Sequence, residues 1–302
     1  MQRPLILFAI VAAVLSVVIY EGLLAHRKTV VNDSLKQVFS SETNQGTILR
    51  NLQRMGAQAV PAEVQALSQT GEIGSAAELA LLNNRSATNV LPQVVPLLES
   101  KNPEVRLRAA SIVMDRIVNA AHFDSANANF LPVLIRALDD TNKYVRGEMA
   151  LALSKFGSSG EAAVPALTKA LDDESARVRI SAAMALSKID GSQTAAVIPV
   201  LQGVIASGDS QDRHWAAVSL HEIEPTNTEI IPTFVSSLTN EDQDIRSSAA
   251  YSLLSYGPAA KIAVPALQKA LDDPNVSVKE AARAALGKID PEAVNKANVQ
   301  NQ

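Results

Sequence analysis

Acid–base or metal chemistry in this 302-residue chain would have to begin with its four histidines, His26, His122, His214 and His221, because imidazole titrates near neutral pH and ligates metals. They are scattered along the sequence. His26 flanks an N-terminal apolar run. His122 lies between Asn119 and Phe130, a joint lengthened by seven residues and expected to be a solvated loop. His221-Glu222 sets an imidazole beside a carboxylate, but one such pair supplies too few ligands for a metal. The chain has no cysteine, which excludes a thiolate ligand, a cysteine nucleophile and a disulfide frame. No glycine-rich phosphate loop or Ser-His-Asp arrangement occurs. These residues therefore point to no catalytic, cofactor-binding or metal site.

The pattern that does recur is structural. Seven prolines, Pro61, Pro92, Pro132, Pro165, Pro199, Pro232 and Pro265, open similar stretches, and the last four steps are 33, 34, 33 and 33 residues. Fourteen residues after six of them stands a basic side chain: Arg106, Arg146, Arg179, Arg213, Arg246 or Lys279. Ser75 breaks the rule in the first unit. Four residues before each basic position lies Asn102, Asn142, Ser175, Asp209, Asp242 or Asn275, side chains that cap the free N–H groups of a helix's first turn. The spacing predicts that a second helix starts there in every full unit. Apolar residues two and six positions after the proline, such as Leu167 and Leu171 or Phe234 and Leu238, keep one face of a first helix apolar. Small residues fill the second helix, as in Ala182-Ala183-Met184-Ala185-Leu186, and let neighbouring helices approach closely. Each unit is a helical hairpin that cannot close its own core, so it must stack on its neighbours.

Pro-x-Leu, an acidic turn, Val-Arg and Ala-Ala-x-Ala-Leu together resemble the HEAT repeat, in the short form called the phycobilisome-lyase HEAT-like repeat. The resemblance covers about residues 57–290. It implies an all-α fold, an α-solenoid of stacked helical hairpins with about seven units, and it says little about function. It also implies a ladder of hydrogen bonds between repeats, in which Asp140, Asp173 and Asp273 pair with Arg146, Arg179 and Lys279 or their neighbours. Two enzyme groups share this architecture. Deoxyhypusine hydroxylases hold two irons with His-Glu pairs just after the repeated basic position. This chain has Gly147-Glu148, Ile180-Ser181, His214-Trp215 and Ser247-Ser248 there, with His221-Glu222 seven residues late. The resemblance therefore gives no di-iron site. Phycobilin lyases act on linear tetrapyrroles, and no catalytic residue of theirs carries over.

Apolar residues make up 47% of the chain and aromatic ones only 4%, enough for a stacked aliphatic core with few large binding anchors. The net charge of −4 and the spread of basic residues over one repeat position give no nucleic-acid surface. Leu5 to Tyr20 is a run of sixteen uncharged residues, about 24 Å of helix, which extended to about twenty residues would reach across a bilayer. Residues 1–25 thus read as a transmembrane anchor or a signal peptide. The expectation is a single-pass hydrophobic helix through residues 4–25, with the repeats outside the cytoplasm. Residues 26–56 read as a helical linker and N-terminal cap, and 291–302 as a polar tail.

Function would be written where the units differ. Five positions after the basic residue the column reads Ser111, Leu151, Met184, Val218, Tyr251 and Ala284; two positions after it, Arg108, Glu148, Ser181, Trp215, Ser248 and Ala281. Leu151, Met184 and Val218 could be core, or they could join Trp215 and Tyr251 in a shallow apolar groove with His214, Glu148 and Arg108 at its margins. Trp215 and Tyr251 are the stronger binding candidates, since neighbouring units put Ser181 and Ser248, or Ala284, in the same columns. The sequence reads as a membrane-anchored interaction scaffold for a protein or peptide partner, without catalytic activity or cofactor. A bilin-lyase-type subunit and a secreted repeat protein are the alternatives.

Overall fold

The computed structural model describes residues 60–68, 72–84, 90–118 and 125–293, and among these there are helices and no strands. The segments expected to be an anchor (1–25) and a cap (26–56) lie outside the described residues. His26, His122 and the tail from residue 294 lie outside them too.

The helices form two compact units, one running up to residue 122 and taking in 132–137, the other holding 123–131 and everything from 138 onward. In the first lie α1 (Val60–Leu67), α2 (Glu72–Asn83), the short α3 (Leu91–Val94) continued by a 3-10 turn, and α4 (Pro103–Val118). The helix α5 (Leu131–Arg136) belongs mostly to this unit. The second unit contains α6 (Lys143–Leu153), α7 (Val164–Ala170), α8 (Ala176–Ile189), α9 (Thr194–Ser207) and α10 (Ser210–Ile223). It continues with α11 (Ile231–Ser237), α12 (Gln243–Tyr256), α13 (Val264–Ala270) and α14 (Val276–Ile289). Within it α6 packs on α8, α8 on α10, α10 on α12 and α12 on α14, so the second helices of successive hairpins lie side by side.

The caps follow the repeated spacing. Asn102, Asn142, Asp209, Asp242 and Asn275 each accept a hydrogen bond from a first-turn N–H. Ser175 takes the extended cap backbone but makes no side-chain cap bond. Prolines open α3, α7, α11 and α13 at their first or second position, where a missing N–H costs nothing. Pro199 is different, because α9 begins at Thr194 and encloses it. The carbonyl that loses its partner there belongs to Ala195, an exposed residue.

The core is the pattern of the sequence turned inward. Leu134, Leu167, Leu201, Phe234 and Leu267, each two residues after its proline, are fully buried, as are Ala182, Ala183, Ala249 and Ala250. Each buried leucine contributes on the order of 1.5–3 kcal/mol.

Each repeat arginine closes its own hairpin, its Nη1 donating to turn carbonyls: Arg106 to Ser100, Arg146 to Asp140, Arg179 to Asp173, Arg213 to Gly208 and Arg246 to Asn240. Two of them also reach forward to the next repeat. Arg146 grips Asp173 through Nε–Oδ2 at 2.7 Å and Nη2–Oδ1 at 2.8 Å. Arg246 grips Asp273 at 2.7 and 2.9 Å in the same way. This is the inter-repeat ladder, with the arginine reaching to the aspartate 27 residues ahead. The Arg246 guanidinium holds the Asp273 carboxyl below its usual range. Burial would raise Asp173, but Arg146 and the Ser175 N–H outweigh it and its pKa is lowered as well.

Gly257, the C-cap of α12, has φ 54° and ψ −137°, a conformation essentially confined to glycine. Gly157 adopts nearly the same angles after α6. Gly257→Ala is expected to lose about 1–3 kcal/mol from backbone strain alone, since the nearest atom a Cβ would meet lies 3.9 Å away. A urea midpoint unchanged from wild type would contradict this.

The placement in a membrane is corrected. Among the described residues no helix is long and apolar enough to cross one. The longest, α4, has 16 residues, about 24 Å, and carries charged side chains throughout. Residues 4–25, on which the single-pass expectation rested, lie outside the described ones. The membrane placement of this chain is therefore dropped.

Candidate functional site

Three neighbouring second helices of the second unit, α6, α8 and α10, build one groove of about 360 Å³. Its apolar floor is Leu151 and Met184, with Ile180 behind and Trp215 as one wall; Ser181 and Ser219 line it too. Leu151 and Met184 are half-buried, so they face the groove and do not fill the inter-repeat core. At one end lie Arg177, Gln211 and Asp212. Trp215 is 41% exposed and Tyr251 54% exposed, against a background in which most large apolar side chains are buried.

The sequence-derived candidates do not all meet there. Trp215 lines the groove, while Tyr251 and Val218 do not. Glu148 is half-buried on α6, outside the lining set. His214 is fully buried, its Nε2 3.0 Å from the Ser248 hydroxyl and its Nδ1 without a hydrogen-bond partner. One residue along a helix is a turn of about 100°, which sends His214 into the stack while Trp215 points outward. His214 thus supports the groove wall from behind, its ring edge-on to Trp215 at 5.1 Å between centroids. Arg108 is buried in the first unit, bonded to Glu104 and to the Ser75 hydroxyl.

Arg177, Gln211 and Asp212 were missed. Arg177 and Gln211 occupy the position two residues before the repeated basic one, where α6 carries Tyr144. Reading that column beside the other two would have found Arg177 and Gln211, with Asp212 one residue further on.

Behind the wall an aromatic cluster ties the hairpins together. Phe234 lies edge-on to both His214 and His221. Tyr256 donates to the Asn227 carbonyl at 3.0 Å, which leaves its oxygen to accept from His221 Nδ1–H at 2.8 Å. His221 Nε2 lies 2.9 Å from the Ser255 hydroxyl, and Glu222 pairs with Lys188. The His221-Glu222 pair is thus used in packing. Burial pushes the Tyr256 hydroxyl up to about 12 and the His214 imidazole down to about 4. Burial lowers His221 as well, with Glu222 pulling the other way. In the first unit burial pushes Glu63 up to about 7 against the opposing pull of Asn84 and Arg116. Among the described residues no group of three His, Cys, Asp or Glu side chains could hold a metal ion.

Helical hairpins stacked through an arginine–aspartate ladder define a repeat protein of the HEAT class, and comparison agrees. The HEAT repeats family matches residues 131–221 and 199–287, more than half of the chain, so the protein belongs to the HEAT-repeat family. Among solved structures it is similar to YibA of Escherichia coli, with 19% identity and a TM-score of 0.50, covering 86% of this chain and 97% of that one. It is also similar to the complex of CpcE and CpcF of phycocyanin lyase from Nostoc sp. PCC7120, with 18% identity and a TM-score of 0.47 over 74% and 92% of the two chains. An engineered protein shares 24% identity, with a TM-score of 0.42 over 89% and 82%. No curated protein matches the chain.

Proposed function

We propose that this chain is an interaction scaffold whose groove beside Trp215 takes a peptide segment of another protein. One observation carries the reading: a half-buried apolar floor of Leu151 and Met184 beside an exposed tryptophan, gathered by three helices into one groove. Contiguous exposed apolar surface marks binding sites, and tryptophan is the side chain most enriched among binding hot spots. The groove is open and offers a peptide both an apolar floor and polar ends.

The chain has a single tryptophan, so its emission reports on the groove directly. Tryptophan-free peptides of twelve residues, selected by display on the full chain, are expected to shift Trp215 emission on binding. Trp215→Ala is expected to weaken those peptides about thirtyfold, the loss of a hot spot of about 2 kcal/mol. A linear tetrapyrrole serves as the competing ligand. Emission that shifts with the tetrapyrrole and with no peptide would overturn the scaffold reading in favour of a bilin-handling subunit.

A further inference from the structure

The groove carries a charge pattern as well as a shape, and the following rests on its being a peptide site. At the end where α6, α8 and α10 begin, the Arg177 guanidinium lies 5.6 Å from the centroid of the Tyr144 ring, and Lys143 Nζ lies 5.4 Å from the same centroid. Both cations are exposed. An aromatic face attracts a cation without neutralising it. Neither Lys143 nor Arg177 is in an ion pair with a described residue, whereas Lys169, Arg136 and Lys188 each have a carboxylate partner. Tyr144 thus holds two positive charges in place, Arg177 in the groove lining and Lys143 just outside it.

The acid on this edge of the groove is Asp212, with the capping Asp209 behind it. Burial and Asp209 raise Asp212, while Arg179, Arg177 and Lys143 pull it back down. Two carboxylates, Asp212 and Asp209, thus lie among three cations, of which Arg177 and Lys143 point to solvent. Arg177 and Lys143, exposed and without an ion-pair partner among the described residues, can meet a partner's carboxylate, and they repel a partner's ammonium.

We infer that the occupant of the groove is an acidic–apolar peptide segment, in which an aliphatic or aromatic side chain lies over Leu151 and Met184 against Trp215 and a neighbouring Asp or Glu meets Arg177 and Lys143. Specificity for such a segment combines attraction at the cation pair with repulsion of basic sequences.

The test is a display selection of random tryptophan-free twelve-residue peptides on the full chain, run in parallel on wild type, Trp215→Ala and the double variant Lys143→Glu with Arg177→Glu. Both charge substitutions fall on exposed side chains, and circular dichroism verifies that the variant is folded. Wild type is expected to enrich peptides with Asp or Glu beside an apolar residue. Changing that acid to Lys is expected to weaken binding about tenfold or more, and the effect should shrink as salt is raised. The double variant is expected to enrich basic residues in the same position. Peptides that depend on Trp215 but show no acidic enrichment, or a basic one, would overturn the charge inference and leave the groove standing. Identical peptides on wild type and Trp215→Ala, or none on either, would overturn both.

Discussion

Arg146→Ala is expected to cost about 3–5 kcal/mol of stability, because it leaves the Asp173 carboxylate buried and charged between two repeats. Both partners are largely enclosed, with side chains 10% and 13% exposed, and the contact is bidentate. The substitution also removes the donor to the Asp140 and Thr141 carbonyls, so the turn of its own hairpin loosens. Arg136→Ala is the contrast. Its pair with Glu99 is exposed on both sides, and pairs of that kind contribute about 0–1 kcal/mol. Urea unfolding of both variants measures the difference; equal midpoints would mean that the ladder does not hold the stack.

The second large effect is a pH dependence centred on His214. Its folded pKa, about 4, lies below the ordinary value of 6.5 because the ring is buried. A depressed pKa means that the unfolded chain binds the proton more readily. The neutral ring's contribution is therefore complete above about pH 6.5 and is lost as pH falls toward 4. The shift corresponds to about 3 kcal/mol at full extent. His221, also lowered, adds in the same direction. His214→Phe removes the titrating group while keeping an aromatic ring against Phe234, at the cost of the Ser248 hydrogen bond. Wild type is expected to lose stability steeply between pH 6.5 and 4.5, and His214→Phe much less. Parallel curves for the two proteins would contradict the assignment.

The repeat was legible because its physics is local. A capping Asn or Asp, a proline at a helix start and apolar residues at fixed spacing each act within one or two turns, and the structure has five side-chain caps at the expected places. The ladder was legible as a pairing of residue types, but not in its direction. Arg146 and Arg246 reach forward to Asp173 and Asp273, while Ser207 stands where the next unit would offer Arg179 an acid. Gly157 and Gly257 went unread, since a single glycine near a helix end does not announce a positive φ.

The groove was half legible. Comparing columns singled out Trp215 and left Leu151 and Met184 open between core and groove, because which face of each helix meets its neighbour is set by packing between helices. His214 was misplaced by the same reasoning. A rim and a buried face differ by one residue on a helix, and only the packing of α10 on α12 decides which is which. Arg177 and Tyr144 come together from two different helices, a contact that no single stretch of sequence contains.

The most direct test of the binding groove is calorimetric titration of one display-selected peptide into three proteins: wild type, Trp215→Ala and Ile262→Ala. Ile262 is 69% exposed and does not line the groove, so it controls for general loss of apolar surface. The groove predicts that Trp215→Ala weakens binding about thirtyfold and that Ile262→Ala leaves it unchanged. Equal affinity for Trp215→Ala and wild type would contradict it.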